Sequence, residues 1–305
     1  MKHDGRVSKL NKPFVVVAII NYNGRRDTIE CIGSLLASSY MNWIAVVVDN
    51  ASPDKSGNVL EEAYCDDSRI IIKKSSCNLG FGKANNLVMR AAFDAGAAYV
   101  LLLNNDTVIE PDMLERLVDT ADCNTVVSPL MDYYDCPDAI WFAGGCFDNW
   151  GVARHEYMLE RRNAVLLKKH EIEWATGCCM LVPRAAYEAT GGFDESFFLY
   201  WEDTDWSIRL RRAGFRLMFE PKARLYHKVS ASTGGERSPL SYYYNTRNRL
   251  YAARKLGLGF KLKLWAFGGV ARGIVSRDAK HQYALRAWLD YRAGNMGMMR
   301  TNQVG

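Results

Sequence analysis

No Cys-x-x-Cys pair occurs among the eight cysteines of this 305-residue chain, so a zinc knuckle is excluded. Two cysteines are adjacent, Cys178 and Cys179, and neighbours in sequence rarely bond to each other. The expectation is free, buried thiols in a reducing cytosol. No uninterrupted apolar stretch reaches the roughly eighteen residues of a membrane span. Residues 1–12 are polar and basic with no apolar segment, so no secretory signal is expected. Internal repeats and low-complexity tracts are also missing.

What is present is a chain able to build a large core. Hydrophobic residues make up 49% and charged residues 24%, which argues against global disorder. The net charge of +5 is unevenly placed: residues 209–263 carry fourteen Lys and Arg against two acids, Glu220 and Glu236. Such a basic stretch suggests an anionic partner there, such as a diphosphate, an anionic lipid or nucleic acid, or else a solvated basic surface.

Four short apolar runs, residues 14–20, 44–48, 70–72 and 99–103, read as strands covered on both faces, because they lack period-two alternation. Helical patterns lie between them. Asp27 is read as the cap of one, 82–95 as a second ending at Gly96, and Pro111 as the first turn of a third. Strand–helix alternation predicts an α/β fold with a largely parallel sheet. Residues 132–173 read as short strands and loops, 173–182 as another strand, and Pro183 as the start of a short helix ending near Gly191-Gly192. Beyond Pro239 the chain reads as amphipathic helix to about residue 294.

Ligands of open α/β sheets sit beyond the carboxyl ends of the strands. The residues there are Asn21-Tyr22-Asn23-Gly24, Asp49-Asn50-Ala51-Ser52, Asn78-Leu79-Gly80-Phe81-Gly82 and Asn104-Asn105-Asp106. All four are polar or glycine-rich, like the rim of one site. Asp106 could bind a divalent cation through oxygen, or simply make a turn. Asp49 could hold a base or ribose, or close an Asx-turn. The loop at 78–86 is not a P-loop, because Ala84 follows Lys83, and Asn85 breaks Gly-x-Gly-x-x-Gly. Its glycines still permit close backbone approach to a ligand.

The densest stretch is Gly191 to Gly214, GGFDESFFLYWEDTDWSIRLRRAG. Phe193, Phe197, Phe198, Tyr200 and Trp201 suggest an aromatic wall, suited to the apolar faces of sugars. Glu202, Asp203 and Asp205 then crowd a helix start. The helix dipole favours acids there, but three within four residues between two tryptophans exceed what capping requires. A carboxylate so placed could deprotonate a hydroxyl. His227 is either structural or a metal ligand beside Asp106.

In this order and spacing, NYNG (21–24), VDNAS (48–52), NLGFGKANN (78–86), LLLNNDT (101–107), GGFDESFFLYWEDTDW (191–206), His227 and YYYNTRNRL (242–250) resemble the family 2 glycosyltransferases with the GT-A fold, over roughly residues 13–255. The branch they look most like contains bacterial rhamnosyltransferases and galactofuranosyltransferases. The resemblance implies a Rossmann-like mixed sheet flanked by helices in a catalytic domain over 13–238, with its donor half to about 130. It also implies a helical basic extension over 239–305. Asn21, Asn23, Asp49, Asn78, Asn85, Asn105 and Asp106 would line the donor pocket. Asp106 and His227 would hold Mg2+ or Mn2+, and Asp203 would be the catalytic base. Gly191, Gly192, Trp201 and Glu202 would shape the acceptor site. Asn104 departs from the family's Asp-x-Asp pattern at its first position.

The activity so implied is inverting transfer of a sugar, L-rhamnose from dTDP-rhamnose or a sugar from a UDP donor, to a cell-surface glycan or polyprenyl-linked acceptor. The implied location is the cytoplasm, with the apolar and basic residues Phe260, Lys261, Lys263, Leu264, Trp265, Phe267, Arg272 and Ile274 touching an anionic membrane face or a second copy of the chain. Three rivals fit less of the sequence. A nucleotidyltransferase would carry an Arg/Lys-bearing glycine loop directly after the first strand. A silent sugar-nucleotide-binding module leaves Asp106, Asp203 and His227 without a task. A nucleic-acid binder leaves the acidic cluster unexplained.

Overall fold

The computed structural model describes residues 12–229, 238–276 and 278–300. The basic N-terminal tail therefore lies outside the described residues, except Lys12. The chain runs β1 (Val15–Asn21), α1 (Arg25–Leu36), β2 (Trp43–Asp49), α2 (Ser56–Ala63), β3 (Ile70–Lys74), α3 (Phe81–Asp94), β4 (Tyr99–Asn104), β5 (Thr107–Ile109) and α4 (Met113–Thr120). It continues through β6 (Thr125–Tyr133), β7 (Ile140–Phe142), β8 (Gly145–Phe147), β9 (Ala153–His155), β10 (His170–Glu171), β11 (Cys179–Pro183), α5 (Arg184–Thr190), α6 (Glu202–Arg212) and β12 (Arg216–His227). Three helices close it: α7 (Pro239–Lys255), α8 (Phe260–Val275) and α9 (Ala279–Ala293).

The main sheet has the order β10-β12-β6-β11-β4-β1-β2-β3, with β5 paired to β12 and β7 to β6. β3, β2, β1 and β4 are mutually parallel, and β11 runs antiparallel to β4 and β6. The sheet is thus mixed, with its parallel half in the first hundred residues. Val15, Val17, Ala18, Ile19, Val100, Leu101 and Leu102 are fully buried, as expected for strands with helices on both faces.

Several boundaries differ from the sequence reading. α1 begins at Arg25 after Gly24, so Asp27 lies in the first turn rather than at the cap, and its carboxylate pairs with Lys228 Nζ at 2.7 Å. Pro111 precedes α4, whose N-cap is Asp112. The strand read over 173–182 is shorter, because residues 173–178 turn irregularly and only Cys179–Pro183 pairs with β4. The C-terminal run is helical as expected and consists of α7, α8 and α9. The cysteines are all free, but Cys65, Cys77, Cys123 and Cys136 are exposed; only Cys31, Cys178 and Cys179 are buried. Among the described residues no helix is long and apolar enough to cross a membrane.

The basic stretch is largely neutralised from within. Arg209 and Lys255 pair with Asp205, Arg216 with Asp122, Arg224 with Asp132, and Lys228 with Asp27 and Glu30. Arg247 and Arg249 are buried. Those cations hold acids supplied by other parts of the chain or lie in the interior, so they do not form one open anion-binding face. Glu236 and Arg237 lie outside the described residues.

Candidate active site

Strand register assembles the donor-side residues. Asn21 lies opposite Asp49 across β1 and β2, and Ile20 opposite Asn104 across β1 and β4, so three strand ends finish side by side. Asn21 is fully buried and donates from Nδ2 to Asp49 Oδ1 at 2.7 Å and to Ser56 Oγ at 2.8 Å. Its own Oδ1 accepts from Thr28 Oγ1 at 2.9 Å. The Ser52 hydroxyl donates to Asp49 Oδ1 at 2.5 Å, and the Asn23 backbone N–H donates to Ser52 Oγ at 3.0 Å. Asp49 is thus held by hydrogen bonds from Asn21, Ser52 and Ser56 in a buried polar floor. Asn105 turns toward α1, donating to Thr28 Oγ1 at 2.9 Å.

The glycine loop is built as a bridge. Asn50 accepts from the Leu79 N–H at 2.8 Å and donates to Asn78 Oδ1 at 3.0 Å, while Asn78 Oδ1 also accepts from the Gly80 N–H at 2.9 Å. Gly80 has φ +78°, and a Cβ there would stand 2.5 Å from the Phe198 carbonyl oxygen, so only glycine lets the loop touch the segment before α6. The Phe81 N–H donates to that carbonyl at 3.0 Å. Asn85 is buried and donates to the Phe81 carbonyl at 3.1 Å.

A second register brings Asp106 and His227 together. β5 pairs antiparallel with β12, placing His227 opposite Thr107. His227 Nε2 lies 3.2 Å from Asp106 Oδ1, and both residues are buried. The imidazole packs edge-on against Trp141, ring centroids 4.3 Å apart, and its Nδ1 has no hydrogen-bond partner among the described residues. Two donors about 2.1 Å from a single octahedral ion stand about 3 Å apart, so this pair fits a divalent cation. Among the described residues no cluster of three or more His, Cys, Asp or Glu could enclose a metal. A two-ligand site leaves positions open for phosphate oxygens and water, as sites for Mg2+ generally do.

The three acids at the start of α6 have three different environments. Asp205 is fully buried and ion-paired to Arg209 at 2.7 Å and to Lys255 at 2.8 Å, which ties α6 to α7. Glu202 is 5% exposed, and its Oε2 has no hydrogen-bond partner among the described residues. Burial, then the charge of Asp203, pushes its carboxyl up to about 8. Asp203 alone reaches the surface in part. Its Oδ2 accepts from the Gly177 N–H at 3.0 Å and its Oδ1 from the Thr204 N–H at 2.7 Å. Burial still raises its pKa above the ordinary carboxylate value, against the lowering effect of those bonds. A carboxyl of raised basicity, on the one partly exposed acid of the three, is suited to take a proton.

Gly177 and Cys178 link this acid to the Asp106–His227 pair. Gly177 holds Asp203, and the next carbonyl, of Cys178, accepts from the Asn104 N–H at 2.8 Å, two residues before Asp106. A Cβ on Gly177 would meet the Phe81 ring at 2.8 Å, so the glycine loop packs against the same turn. The strand-end loops, Asp106 and Asp203 therefore border one continuous region.

The aromatic residues differ from the expected wall. Phe193, Phe197 and Trp201 are buried at 3%, 1% and 7% exposure, and Trp206 Nε1 donates to Thr190 Oγ1 at 2.8 Å from inside the core. Gly191 caps α5 with φ +76°, and Gly192 shares that φ. Two residues left unassigned by sequence reasoning hold this region. Asn86 donates to the Phe193 carbonyl at 2.8 Å and accepts from its N–H at 2.9 Å, and Arg209 donates to the Thr190 and Gly192 carbonyls. Both occur in motifs already singled out, NLGFGKANN and the α6 helix, but their partners are distant in sequence.

Comparison with known proteins places this geometry. An N-acetylglucosaminyl-diphospho-decaprenol L-rhamnosyltransferase of Mycobacterium tuberculosis is 27% identical over 253 residues, covering 74% of this chain and 79% of that protein. Among solved structures, the mannosyltransferase PcManGT from Pyrobaculum calidifontis, in complex with GDP-Man and Mn2+, superposes with a TM-score of 0.58 at 16% identity, over 94% of this chain and 84% of that one. GalNAc-T7 with UDP, GalNAc and Mn2+ gives a TM-score of 0.64 at 14% identity, over 80% of this chain and 48% of that one. These likenesses identify the fold as GT-A. The model of the family described as "Glycosyl transferase family 2" matches residues 16–191, more than half of the chain, which therefore belongs to glycosyltransferase family 2.

Proposed function

We propose that the chain is an inverting glycosyltransferase in which Asp203 is the base, the donor is a nucleoside-diphosphate sugar and the acceptor is a hydroxyl on a lipid-linked glycan. The observation that carries this reading is the division of labour among the three acids. Asp205 is consumed by Arg209 and Lys255, Glu202 is shut away from solvent, and Asp203 combines raised basicity with partial exposure of the residue. As the acceptor oxygen attacks the anomeric carbon, Asp203 takes its proton. The bond from that carbon to the diphosphate oxygen breaks on the opposite face, and the diphosphate leaves with the electron pair. One displacement inverts the carbon and needs no enzyme nucleophile, so the cysteines have no part in it.

Asp49 and Asn21 form a fixed polar floor at the end of β1 and β2 suited to the ribose or base, with Asn23, Asn78, Asn85 and Asn105 around it. Asp106 and His227 would hold Mg2+ or Mn2+, which would offset the charge developing on the departing diphosphate. Gly191, Gly192, Trp201 and Glu202 shape the acceptor side through the backbone turn before α6. The preferred donor is dTDP-rhamnose, in keeping with the likeness to a rhamnosyltransferase, with a UDP-sugar as the alternative. The decaprenol-linked acceptor in that relative's name supports a polyprenyl-linked acceptor here. Incubation with dTDP-rhamnose or UDP-sugars, with and without Mn2+, tests the reading. Release of nucleoside diphosphate and a product of inverted configuration supports it; pyrophosphate release or retention of configuration refutes it.

A membrane-facing role for α8 goes with such an acceptor. Phe260, Leu264 and Phe267 recur on one helical face and are 71%, 46% and 43% exposed. Lys261, Lys263 and Arg272 flank them, and α8 contains no acid. An apolar stripe with a basic border suits an anionic lipid surface. Cosedimentation with phosphatidylglycerol vesicles at low salt, lost in a Phe260→Ser/Phe267→Ser variant, is the expected result. Parent protein that ignores those vesicles and is dimeric instead would assign the face to a second copy of the chain.

A further inference from the structure

The turn that delivers the acidic cluster is sterically disfavoured. Tyr200 and Trp201, directly before Glu202, have φ of +66° and +78°. Consecutive left-handed residues with side chains persist only where their surroundings hold them. The cap of α6 offers no such support, since Trp201 makes no side-chain capping bond.

The support comes from α7, about fifty residues along the chain. Asn248 is fully buried, and its Nδ2 donates to the Leu199 and Tyr200 carbonyls, both at 2.8 Å. Both hydrogens of the amide are thus spent on the strained backbone. The other end of the amide is fixed too: Arg247 Nε donates to Asn248 Oδ1 at 3.1 Å. Arg247 is itself fully buried and held between the Tyr243 and Tyr244 rings, its guanidinium carbon 5.2 Å from each centroid. Two further contacts bind the same turn to α7: Tyr200 Oη lies 3.2 Å from Ser241 Oγ, and Phe198 stacks on Tyr244 with centroids 5.5 Å apart. The Phe198 carbonyl meanwhile accepts from Phe81 in the glycine loop.

We infer that Asn248 is a positioning residue for Asp203: it clamps the left-handed turn at residues 199–201 and so sets where α6 begins and where the base stands. This rests on the assignment of Asp203 as base under the proposed function. Among short uncharged side chains, only an amide supplies two donors to two carbonyls from one atom. Asp at this position keeps the shape and gains charge complementarity to Arg247, yet it loses both donors.

The test is Asn248→Asp, with Asn248→Ser as the milder variant should the first fail to fold. Donor binding is read by titration with the nucleoside diphosphate, since Asn21 and Asp49, at the ends of β1 and β2, lie away from the clamp. The expected result is nucleoside-diphosphate affinity and donor KM within about twofold of the parent, with kcat reduced at least tenfold. Amide hydrogen exchange should rise across residues 199–205 and stay unchanged across β2, residues 43–49. Parent-like kcat in a folded, nucleotide-binding variant overturns the inference, as does unchanged exchange at 199–205. The exchange measurement does not depend on turnover. If the parent transfers no sugar while the variant loosens this turn, the clamp stands and the base assignment falls.

Discussion

Replacing Glu202 by Gln should stabilise the protein more as the pH rises. The carboxyl is buried, has one oxygen without a partner among the described residues, and is adjacent to Asp203. Its pKa is about 8 in the fold, against an ordinary value of 4.5. The sign follows from proton counting. Between those values the folded chain keeps a proton that the unfolded chain has released, so stability falls as pH rises from about 4.5 and levels off above about 8. Each unit of that interval is worth about 1.4 kcal/mol, so the interval amounts to on the order of 5 kcal/mol. Gln has no such proton to lose. Urea unfolding at about pH 5, 6.5 and 8.5, followed by far-ultraviolet circular dichroism, gives the gap between parent and variant. That gap should widen by several kcal/mol in favour of Gln across the series. A gap independent of pH would refute the reasoning.

Two further outcomes follow from the geometry. Asp106→Asn and His227→Ala should each weaken Mn2+ binding in the presence of nucleoside diphosphate by roughly tenfold or more, read by the electron paramagnetic resonance of free Mn2+, with the fold retained. Lys255→Met removes one of the two cations that hold the buried Asp205, and should lower stability by about 3 kcal/mol, visible as a reduced urea midpoint.

The donor half was legible because its strands are covered on both faces, and unbroken runs such as FVVVAII leave no competing period. The strand ends then marked Asn21, Asp49 and Asn104–Asp106 by position alone. Asp106 and His227 were joined by the family resemblance and not by any local pattern, because their 3.2 Å approach depends on the register between β5 and β12. The resemblance singled out Asp203 among the three acids, but the physical difference between them lies in tertiary partners: Lys255 from α7 claims Asp205, and the Gly177 N–H claims Asp203. The aromatic residues misled for a related reason. Large rings near an acidic cluster serve a core as readily as a sugar platform, and here Phe193, Phe197 and Trp201 fill the core. The internal pairing of part of the basic stretch was hidden as well, since the partners Asp27, Glu30, Asp122 and Asp132 of Lys228, Arg216 and Arg224 lie far away in sequence.

The central claim, that Asp203 takes the acceptor proton, is tested most directly by the turnover of Asp203→Asn under saturating donor and acceptor. Asn keeps the size of the side chain and can still accept from Gly177 through its carbonyl oxygen, but it is not a base. The account predicts that nucleoside-diphosphate affinity is retained and kcat falls by about 10²–10⁴. A variant that binds donor and turns over within a few-fold of the parent would contradict it.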